Sequence, residues 1–274
     1  MLGAIFGDIV GSVYDLDNIK TKDFPLFAAR TVEYLNIVIE PHFTDDSVMT
    51  IAVAQGLLDG GTPEAFVNAM HQFGAIFPDA GYGGRFSDWL RNGQLMPYNS
   101  WGNGSAMRVS PCAWYANSLV EAEQLAEVSA AVTHNHPEGI KGAQAIAGCI
   151  YLARQRPRVS KAEIRQYATD KYSYDLSKSL EEIRPNYEFD VSCQGSVPPA
   201  IQAFLESVDF EDAIRNAISL GGDSDTIGAM TGSIAEAYYG MTVQQQAEVF
   251  RRLDPRLTKV LIEWDKAGLP LVVV

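Results

Sequence analysis

The chain has 274 residues, of which 47% are hydrophobic and 20% charged, a composition typical of a globular protein with a substantial core. Its net charge of −13 argues against nonspecific binding to nucleic acid or to an anionic membrane surface, although a small phosphorylated ligand is still allowed. The three cysteines form no disulfide or metal-binding pattern, and neither a signal peptide nor a membrane-length apolar run is visible, so we expect a protein of the reducing cytoplasm.

Apolar residues recur at helical spacing along most of the chain. The first such stretch, 3–13, places small residues on one helical face, which would let another helix approach closely. Asp8 lies beside this face, where it suits equally a buried acid bonded to a helix end and a supporting group near a metal. Residues 15–43 lack this periodicity and are interpreted as a lid over a site or as an irregular surface segment.

Further helices are predicted downstream, with proline and glycine marking several of their ends. Pro63 is placed as the first residue of a helix, and Gly60-Gly61 and Gly221-Gly222 act as helix stops. The predicted ranges are 46–58, 63–73, 86–90, a helix beginning at 105, 119–131, 138–154, 160–172, 176–183, 200–207, 210–220, 224–239, 244–253 and 256–267. The apolar tail 269–274 is expected to dock in extended form or to contribute to an oligomer contact.

No strand-like alternation recurs, no change of composition divides the chain, and no internal repeat is evident. We therefore predict a single all-α domain over residues 1–274.

Two acidic turns stand out, each at the start of a predicted helix. The first is Phe43-Thr44-Asp45-Asp46-Ser47, and the second is Gly221-Gly222-Asp223-Ser224-Asp225-Thr226. Taken alone, either turn is most simply a helix cap, because Asp, Ser and Thr favour helix N-termini. Taken together, four carboxylates and two threonine hydroxyls form the oxygen-only ligand set of hard cations such as Mg, Mn or Ca, and a two-metal site would relieve their mutual repulsion.

A glycine-bearing stretch and a histidine pair are further candidate features. The stretch from Pro97 to Arg108 could direct backbone N–H groups at a phosphate, although its spacing is neither a Walker nor a Rossmann pattern and an ordinary loop is the simpler interpretation. His134 and His136 precede a helix start without a third soft ligand nearby, so ligand hydrogen bonding or a loop clasp is favoured over zinc.

These motifs resemble the ADP-ribosylglycohydrolase family, which includes the dinitrogenase reductase-activating glycohydrolases and the ADP-ribosylarginine and ADP-ribosylserine hydrolases. The resemblance spans nearly the whole chain in order. It rests on the two acidic turns and on three further motifs: Gly-Ala-Ile-Phe-Gly-Asp at 3–8, Gly-Asn-Gly-Ser-Ala-Met-Arg at 102–108 and Thr-His-Asn-His-Pro at 133–137. Ser47 stands where relatives often have threonine, a mild change that should leave coordination intact.

The resemblance implies an all-α orthogonal helical bundle with a binuclear Mg or Mn centre that removes ADP-ribose from an acceptor. The implied metal ligands are Thr44, Asp45, Asp46, Asp223, Asp225 and Thr226, with Asp45 or Asp46 serving as the general base. The implied ligand-binding residues are Tyr82, Gly83, Ser100, Gly102, Asn103, Gly104, Ser105, Met107 and His134. One branch of the family also uses a movable glutamate from the segment before the first acidic turn, where this chain has Glu33 and Glu40.

We therefore predict a metal-dependent hydrolase that releases ADP-ribose from an ADP-ribosylated acceptor, with arginine-linked protein favoured. A non-catalytic ADP-ribose-binding module and a hydrolase of a small derivative such as O-acetyl-ADP-ribose remain the alternatives. A two-metal phosphoesterase would normally recruit histidine as well, and only His42 is near the first turn. A purely structural helical protein would leave the paired acidic turns unexplained.

Overall fold

A computed structural model describes residues 1–15, 18–32 and 36–271. Helices dominate it, and their bounds are α1 Leu2–Gly11, α2 Asp45–Leu58, α3 Pro63–Ile76, α4 Gly84–Arg91, α5 Gly104–Met107, α6 Ser110–Tyr115, α7 Leu119–Ala131, α8 Pro137–Ala153, α9 Lys161–Tyr172, α10 Leu180–Ile183, α11 Cys193–Leu205, α12 Phe210–Ile218, α13 Ser224–Tyr239, α14 Val243–Arg252 and α15 Pro255–Lys266. A 3-10 turn at Arg184–Asn186 follows α10. The all-α prediction is confirmed. Among the described residues, no helix combines the length and the apolarity needed to cross a membrane.

The core is built around α1 and α13, which lie side by side. Every residue of α1 is buried, and α2, α8, α11, α12 and α14 pack around this pair. Small residues make the close approach possible: a Cβ added to Gly7 would lie 2.0 Å from the carbonyl oxygen of Gly228, and one added to Gly3 would lie 2.2 Å from that of Gly232. The predicted close-packing face of the first helix is therefore confirmed, and its partner is α13.

The long segment before the first acidic turn contains a small hairpin that the sequence did not indicate. Strands β1 Arg30–Val32 and β2 Ile37–Ile39 pair antiparallel, with Thr31 opposite Val38. Three residues a strand are too few to show a period of two, which is why the pattern gave no signal. Glu33 lies outside the described residues.

Prolines account for the largest error in helix length. A helix was predicted only from residue 200, yet α11 begins at Cys193 and contains Pro198 and Pro199. Ser192 caps it by accepting from Gly195 N, and Tyr187 Oη donates at 3.0 Å to the carbonyl oxygen of Gly195, which the missing N–H of Pro199 leaves free. The helix predicted at 176–183 is shorter in the structure, because α10 begins only after Ser179, whose side chain forms a capping box.

The described part of the apolar tail packs against the core, and the cysteines form no disulfide among the described residues. Leu269 and Leu271 pack against the core, and Trp264 Nε1 donates to the carbonyl oxygen of Pro270 at 3.2 Å. Residues 272–274 lie outside the described part of the chain. The cysteines, Cys112, Cys149 and Cys193, are all free and buried.

Candidate metal centre and cleft

The first acidic turn is held in place by a carboxylate from α1. Thr44 caps α2 by accepting from Asp46 N at 3.3 Å. Asp8 accepts from the backbone N–H groups of Thr44 and Ser47, each at 3.0 Å, and from both hydroxyls of these residues. Asp8 is thus the buried acid bonded to a helix end that the sequence allowed, and it also lies next to the other acids.

The second acidic turn depends on two left-handed glycines. Gly221 and Gly222 have φ angles of +70° and +72°, a conformation that L side chains rarely adopt, and they turn the chain from α12 into α13. Asp15 Oδ1 then accepts from Ser224 N at 2.7 Å and from Asp225 N at 3.1 Å. A carboxylate from just beyond α1 therefore anchors this turn as well.

The fold brings the two turns into contact. Thr226 Oγ1 donates to Asp46 Oδ2 at 3.2 Å, and Thr44 Oγ1, whose proton bonds to Asp8, lies 3.3 Å from Asp225 Oδ2. One carboxylate oxygen from each of Asp8, Asp46 and Asp225 lies within 4.8 Å of the other two, and the same holds for Asp15, Asp223 and Asp225. We call these five aspartates, together with Asp45, whose pKa is raised by the charges of Asp225 and Asp8 as well as by burial, the acid cluster: Asp8, Asp15, Asp45, Asp46, Asp223 and Asp225.

The electrostatics of the acid cluster favour a bound cation. Burial, followed by the charge of Asp225, raises the pKa of Asp8 to about 7 and raises the pKa values of Asp15, Asp45, Asp46 and Asp223 well above the ordinary range. Asp46 Oδ1 is buried and has no hydrogen-bond partner among the described residues. An unpartnered carboxylate oxygen within an oxygen-only donor set fits a hard divalent cation, and two overlapping groups of three acids fit two of them.

A cleft of about 440 Å³ opens onto the acid cluster, and most of the predicted ligand-binding residues line it. Those lining residues are Gly83, Ser100, Gly102, Asn103, Gly104, Met107 and His134. Ser105 and Tyr82 are not among them. Ser105 is buried and donates to the carbonyl oxygen of Gly139 at 2.7 Å, and the Tyr82 ring packs against Phe86 with its hydroxyl buried.

The glycine loop 102–107 offers fewer N–H groups to a phosphate than its sequence suggests. Gly102 N donates to Ser100 Oγ, Asn103 N donates to the carbonyl of Val191, and the N–H groups of residues 106 and 107 both donate to the carbonyl of Asn103. Only Gly104 N and Ser105 N have no acceptor among the described residues. An anion would therefore meet the loop at the first turn of α5.

The side chain of Asn103 faces the acids. Its Nδ2 donates to Asp223 Oδ2 at 2.7 Å and to Ser196 Oγ at 3.1 Å. Burial and the charge of Asp225 raise the pKa of Asp223, and the hydrogen bond from Asn103 offsets part of that rise. Asn103 thus links the glycine loop to the second acidic turn.

His134 presents a hydrogen-bond donor to the cleft. Arg108, which is fully buried, donates to Thr133 Oγ1 at 2.8 Å, and that hydroxyl lies 2.7 Å from His134 Nδ1. Since the hydroxyl has no other acceptor among the described residues, it donates to Nδ1, and the ring proton is assigned to Nε2. Burial, with Arg108 and Arg85 adding to it, lowers the pKa of His134 well below its usual value, so the ring is neutral. The other histidine of the pair, His136, caps α8 by accepting from Glu138 N.

Asp15 and Arg108 are among the cleft-lining residues that were not predicted from the sequence. Asp15 lines the cleft, whereas Glu40, one of the two glutamates considered for this region, is exposed and does not line it. The spacing of seven residues from Asp8 to Asp15, two helical turns, was the available signal. Arg108 also lines the cleft, and it had been quoted only as part of a motif.

Comparisons with known proteins agree with this geometry. The chain is 29% identical to the ADP-ribosylhydrolase ARH3 of Mus musculus, over 93% of this chain and 88% of the relative, and 28% identical to that of Homo sapiens, over 93% and 89%. It is 27% identical to the ADP-ribosylarginine hydrolase Tri1 of Pseudomonas putida, over 88% and 70%. The chain superposes on a solved structure described as an ADP-ribosylglycohydrolase-related protein complex with a TM-score of 0.69 and 22% identity, over 94% of each chain. This likeness supports the fold. Because the ADP-ribosylglycohydrolase family model also matches residues 1–256, the chain belongs to the ADP-ribosylglycohydrolase family.

Proposed function

We propose that this protein is a metal-dependent hydrolase that releases ADP-ribose from an ADP-ribosylated acceptor, with arginine-linked protein as the favoured acceptor. The main support is the meeting of both acidic turns at a cleft of about 440 Å³ that is also lined by the glycine loop. A catalytically idle fold would have no need to bury this many acids against one another. The relatives named as ADP-ribosylhydrolases and as an ADP-ribosylarginine hydrolase support the same reaction class.

Two Mg or Mn ions would be held by the six residues of the turns that offer oxygen ligands: Thr44, Asp45, Asp46, Asp223, Asp225 and Thr226. Such ions supply an acidified water and a template for the ribose hydroxyls. Asp8 and Asp15 hold the two turns through backbone N–H groups, and Asn103 orients Asp223. These three residues hold the turns that carry the ligands, and Asp8 and Asp15, as members of the two groups of three acids, each have a carboxylate oxygen close enough to contact a cation as well.

The cleft also provides separate groups for binding and for proton transfer. Gly104 N, Ser105 N and His134 Nε2 are donors for the diphosphate, and the neutral histidine adds no charge. Asp45 or Asp46 takes the proton of the attacking water, whose oxygen bonds to the anomeric carbon while the bond from that carbon to the acceptor breaks and the acceptor gains a proton.

The preference for an arginine-linked acceptor comes from a relative. The chain is 27% identical to a protein named as an ADP-ribosylarginine hydrolase. The charge of the cleft does not decide the acceptor, because two divalent cations would offset four of the five negative charges of its aspartates, which lie opposite two arginines, Arg85 and Arg108.

The decisive experiment measures free ADP-ribose released from an ADP-ribosyl-arginine protein and from an ADP-ribosyl-serine peptide, with Mg, with Mn and with chelator. We expect metal-dependent release, faster from the arginine-linked substrate, and a loss of at least about 100-fold for Asp45→Asn. Asp79→Asn, an exposed acid outside the acid cluster, is the matched control. Release that persists in chelator, or tight ADP-ribose binding without release from either substrate, would reject the hydrolase in favour of another mechanism or of a binding module.

Binding and chemistry can be separated with Gly104. A methyl group at this position would lie 3.2 Å from His134 Nε2 and would cover the first turn of α5. We expect Gly104→Ala to weaken ADP-ribose binding about tenfold or more by calorimetry, because the diphosphate would lose its approach to the backbone. Asn68→Ala, at an exposed residue that does not line the cleft, is the control. Unchanged affinity in Gly104→Ala would remove the loop from the binding site.

A further inference from the structure

An apolar groove of about 800 Å³ lies where α3 packs against α7, and none of its lining residues lines the catalytic cleft. Its lining includes Val67 of α3, Val128 of α7, and Leu95 and Pro97 of the loop after α4. Leu95 is 65% exposed and the next residue, Met96, is 75% exposed, so apolar side chains at this groove are open to contact. A group of exposed apolar side chains beside polar ones is typical of a site that binds another chain.

The charges at the groove are negative. Glu64 and Glu127 are exposed and line it, whereas no lysine, arginine or histidine among the described residues does. Glu127 Oε2 accepts from Gln144 Nε2 at 3.1 Å, and neither glutamate forms an ion pair within the described part of the chain. The sequences of α3, of α7 and of the segment 92–99 contain no lysine or arginine. The groove is therefore complementary to a segment that carries both apolar and basic side chains.

The groove and the catalytic cleft are separated by two short segments of chain. Pro97 lines the groove, and the next residue, Tyr98, lines the cleft. In the same way, Val132 lines the groove and His134 lines the cleft. Tyr98 N donates to the carbonyl oxygen of Thr133 at 3.3 Å, which joins the two segments. A polypeptide seated in the groove therefore lies next to residues of the cleft that would hold ADP-ribose.

We propose that this groove docks the polypeptide around the modified residue of the acceptor protein, and that it selects a segment with apolar and basic side chains. The apolar side chains pack against Val67, Val128 and Leu95, and the lysines or arginines pair with Glu64 and Glu127. This inference rests on the proposed hydrolase function, because it assigns the acceptor side of the same reaction. A second copy of this chain fits the groove less well, because its net charge of −13 is repelled by the glutamates.

The test compares the KM for release of ADP-ribose from three substrates. The first is ADP-ribosyl-arginine as the single amino acid, which has no polypeptide to place in the groove. The second, the leucine peptide, has leucines and lysines on both sides of its one ADP-ribosylated arginine, and the third, the serine peptide, has serines in place of the leucines. We expect the KM to fall in the order amino acid, serine peptide, leucine peptide, by about tenfold or more from the first to the last.

Two variants test the two kinds of contact. Leu95→Ser should raise the KM of the leucine peptide by about fivefold or more, and Glu127→Lys should raise it by about threefold or more. Both should leave kcat and KM for the amino acid unchanged. Val243→Ser and Glu181→Lys, at exposed residues that line neither the groove nor the cleft, are the matched controls. Thermal unfolding checks that each variant is folded.

Binding of the leucine peptide without its ADP-ribose tests the groove independently of hydrolysis. The isotope-labelled full chain is titrated with this peptide, and backbone amide chemical shifts are followed. We expect saturable shifts at Val67 and Val128, weaker binding in Leu95→Ser, and weaker binding of the unmodified serine peptide to the unaltered protein.

The possible failures can be told apart. No release from any of the three substrates would refute the proposed hydrolase function, and the amide shifts would still decide whether the groove binds the peptide. Equal KM values for the amino acid and the leucine peptide, or no saturable shifts at Val67 and Val128, would overturn the docking site. A dimer in sedimentation that Leu95→Ser dissociates would assign the groove to a second copy and overturn it as well.

Discussion

Asp225 is the aspartate that belongs to both groups of three acids, and replacing it by asparagine should have opposite effects without and with metal. Asn keeps the shape of Asp: its Oδ1 can still accept from Thr226 N, and its Nδ2, in the place of Asp225 Oδ2, can donate to Thr44 Oγ1, whose own proton bonds to Asp8. What it removes is the negative charge. Burial and the charge of Asp225 are the two largest causes that raise the pKa values of the neighbouring aspartates, so the metal-free protein should gain stability when this charge is lost.

The size of the gain follows from the separation of the acids. Two unit charges 4.8 Å apart repel by about 3.5 kcal/mol at an effective dielectric constant of about 20. Partial protonation already relieves some of this repulsion, and we therefore expect Asp225→Asn to stabilise the metal-free protein by about 1–3 kcal/mol. For a protein of this size, each kcal/mol corresponds to a rise in Tm of about 2–4 °C.

With Mn the order should reverse. A ligand present at 100 times its Kd adds about 2.7 kcal/mol to the unfolding free energy of a protein that binds it only when folded. The unaltered protein should gain at least this much, and Asp225→Asn should gain little, because both groups of three acids have lost a member.

Thermal unfolding in chelator and across a Mn titration measures both effects, with Asp79→Asn as the control for loss of one exposed acid. A lower Tm for Asp225→Asn in chelator would show that the acids do not repel one another as we infer. An undiminished response to Mn would place the metal elsewhere.

Three further predictions concern positioning, packing and pH. Asn103→Ala should weaken Mn binding by about tenfold or more in calorimetry, because Asp223 loses the donor that orients it, and an effect no larger than that of the exposed control Asn68→Ala would contradict this. Gly7→Ala should lower the unfolding free energy by about 3 kcal/mol or prevent folding, because its methyl group would overlap the backbone of α13. A denaturant midpoint equal to that of the unaltered protein would refute the close packing of α1 and α13. The pKa of His134 is depressed in the folded protein, so its contribution to the free energy of unfolding is fully present above about pH 6.5 and is lost as the pH falls below that value. His134→Gln should therefore show a shallower loss of Tm between pH 7 and pH 5.5 than the unaltered protein shows. The exposed control His42→Gln should lose Tm as steeply as the unaltered protein.

Much of the fold could be predicted because its signals are local. The range 224–239 was predicted as a helix and is α13 with the same bounds, since Gly221 and Gly222 end the preceding helix and an apolar periodic run follows. The small residues of the first helix indicated a close helix partner, and both acidic turns lie at helix N-termini as expected. The metal-ligand set, the glycine loop and the family were likewise suggested by residues that are adjacent in the chain.

What the sequence could not specify depends on contacts between distant residues. Asp15 joins the acid cluster because it bonds to the amides of residues more than 200 positions away, and Asn103 Nδ2 bonds to Asp223, which is 120 positions away. The helix through Pro198 and Pro199 exists although local propensity opposes it. In the glycine loop, four backbone N–H groups already donate to other protein atoms, so that two remain available to a ligand. The sequence by itself therefore determined which residue types meet and at which helix ends, because capping and periodicity act over a few residues. Only the tertiary structure decided which side chain faces which neighbour, because that depends on how α1 and α13 bring the two turns together.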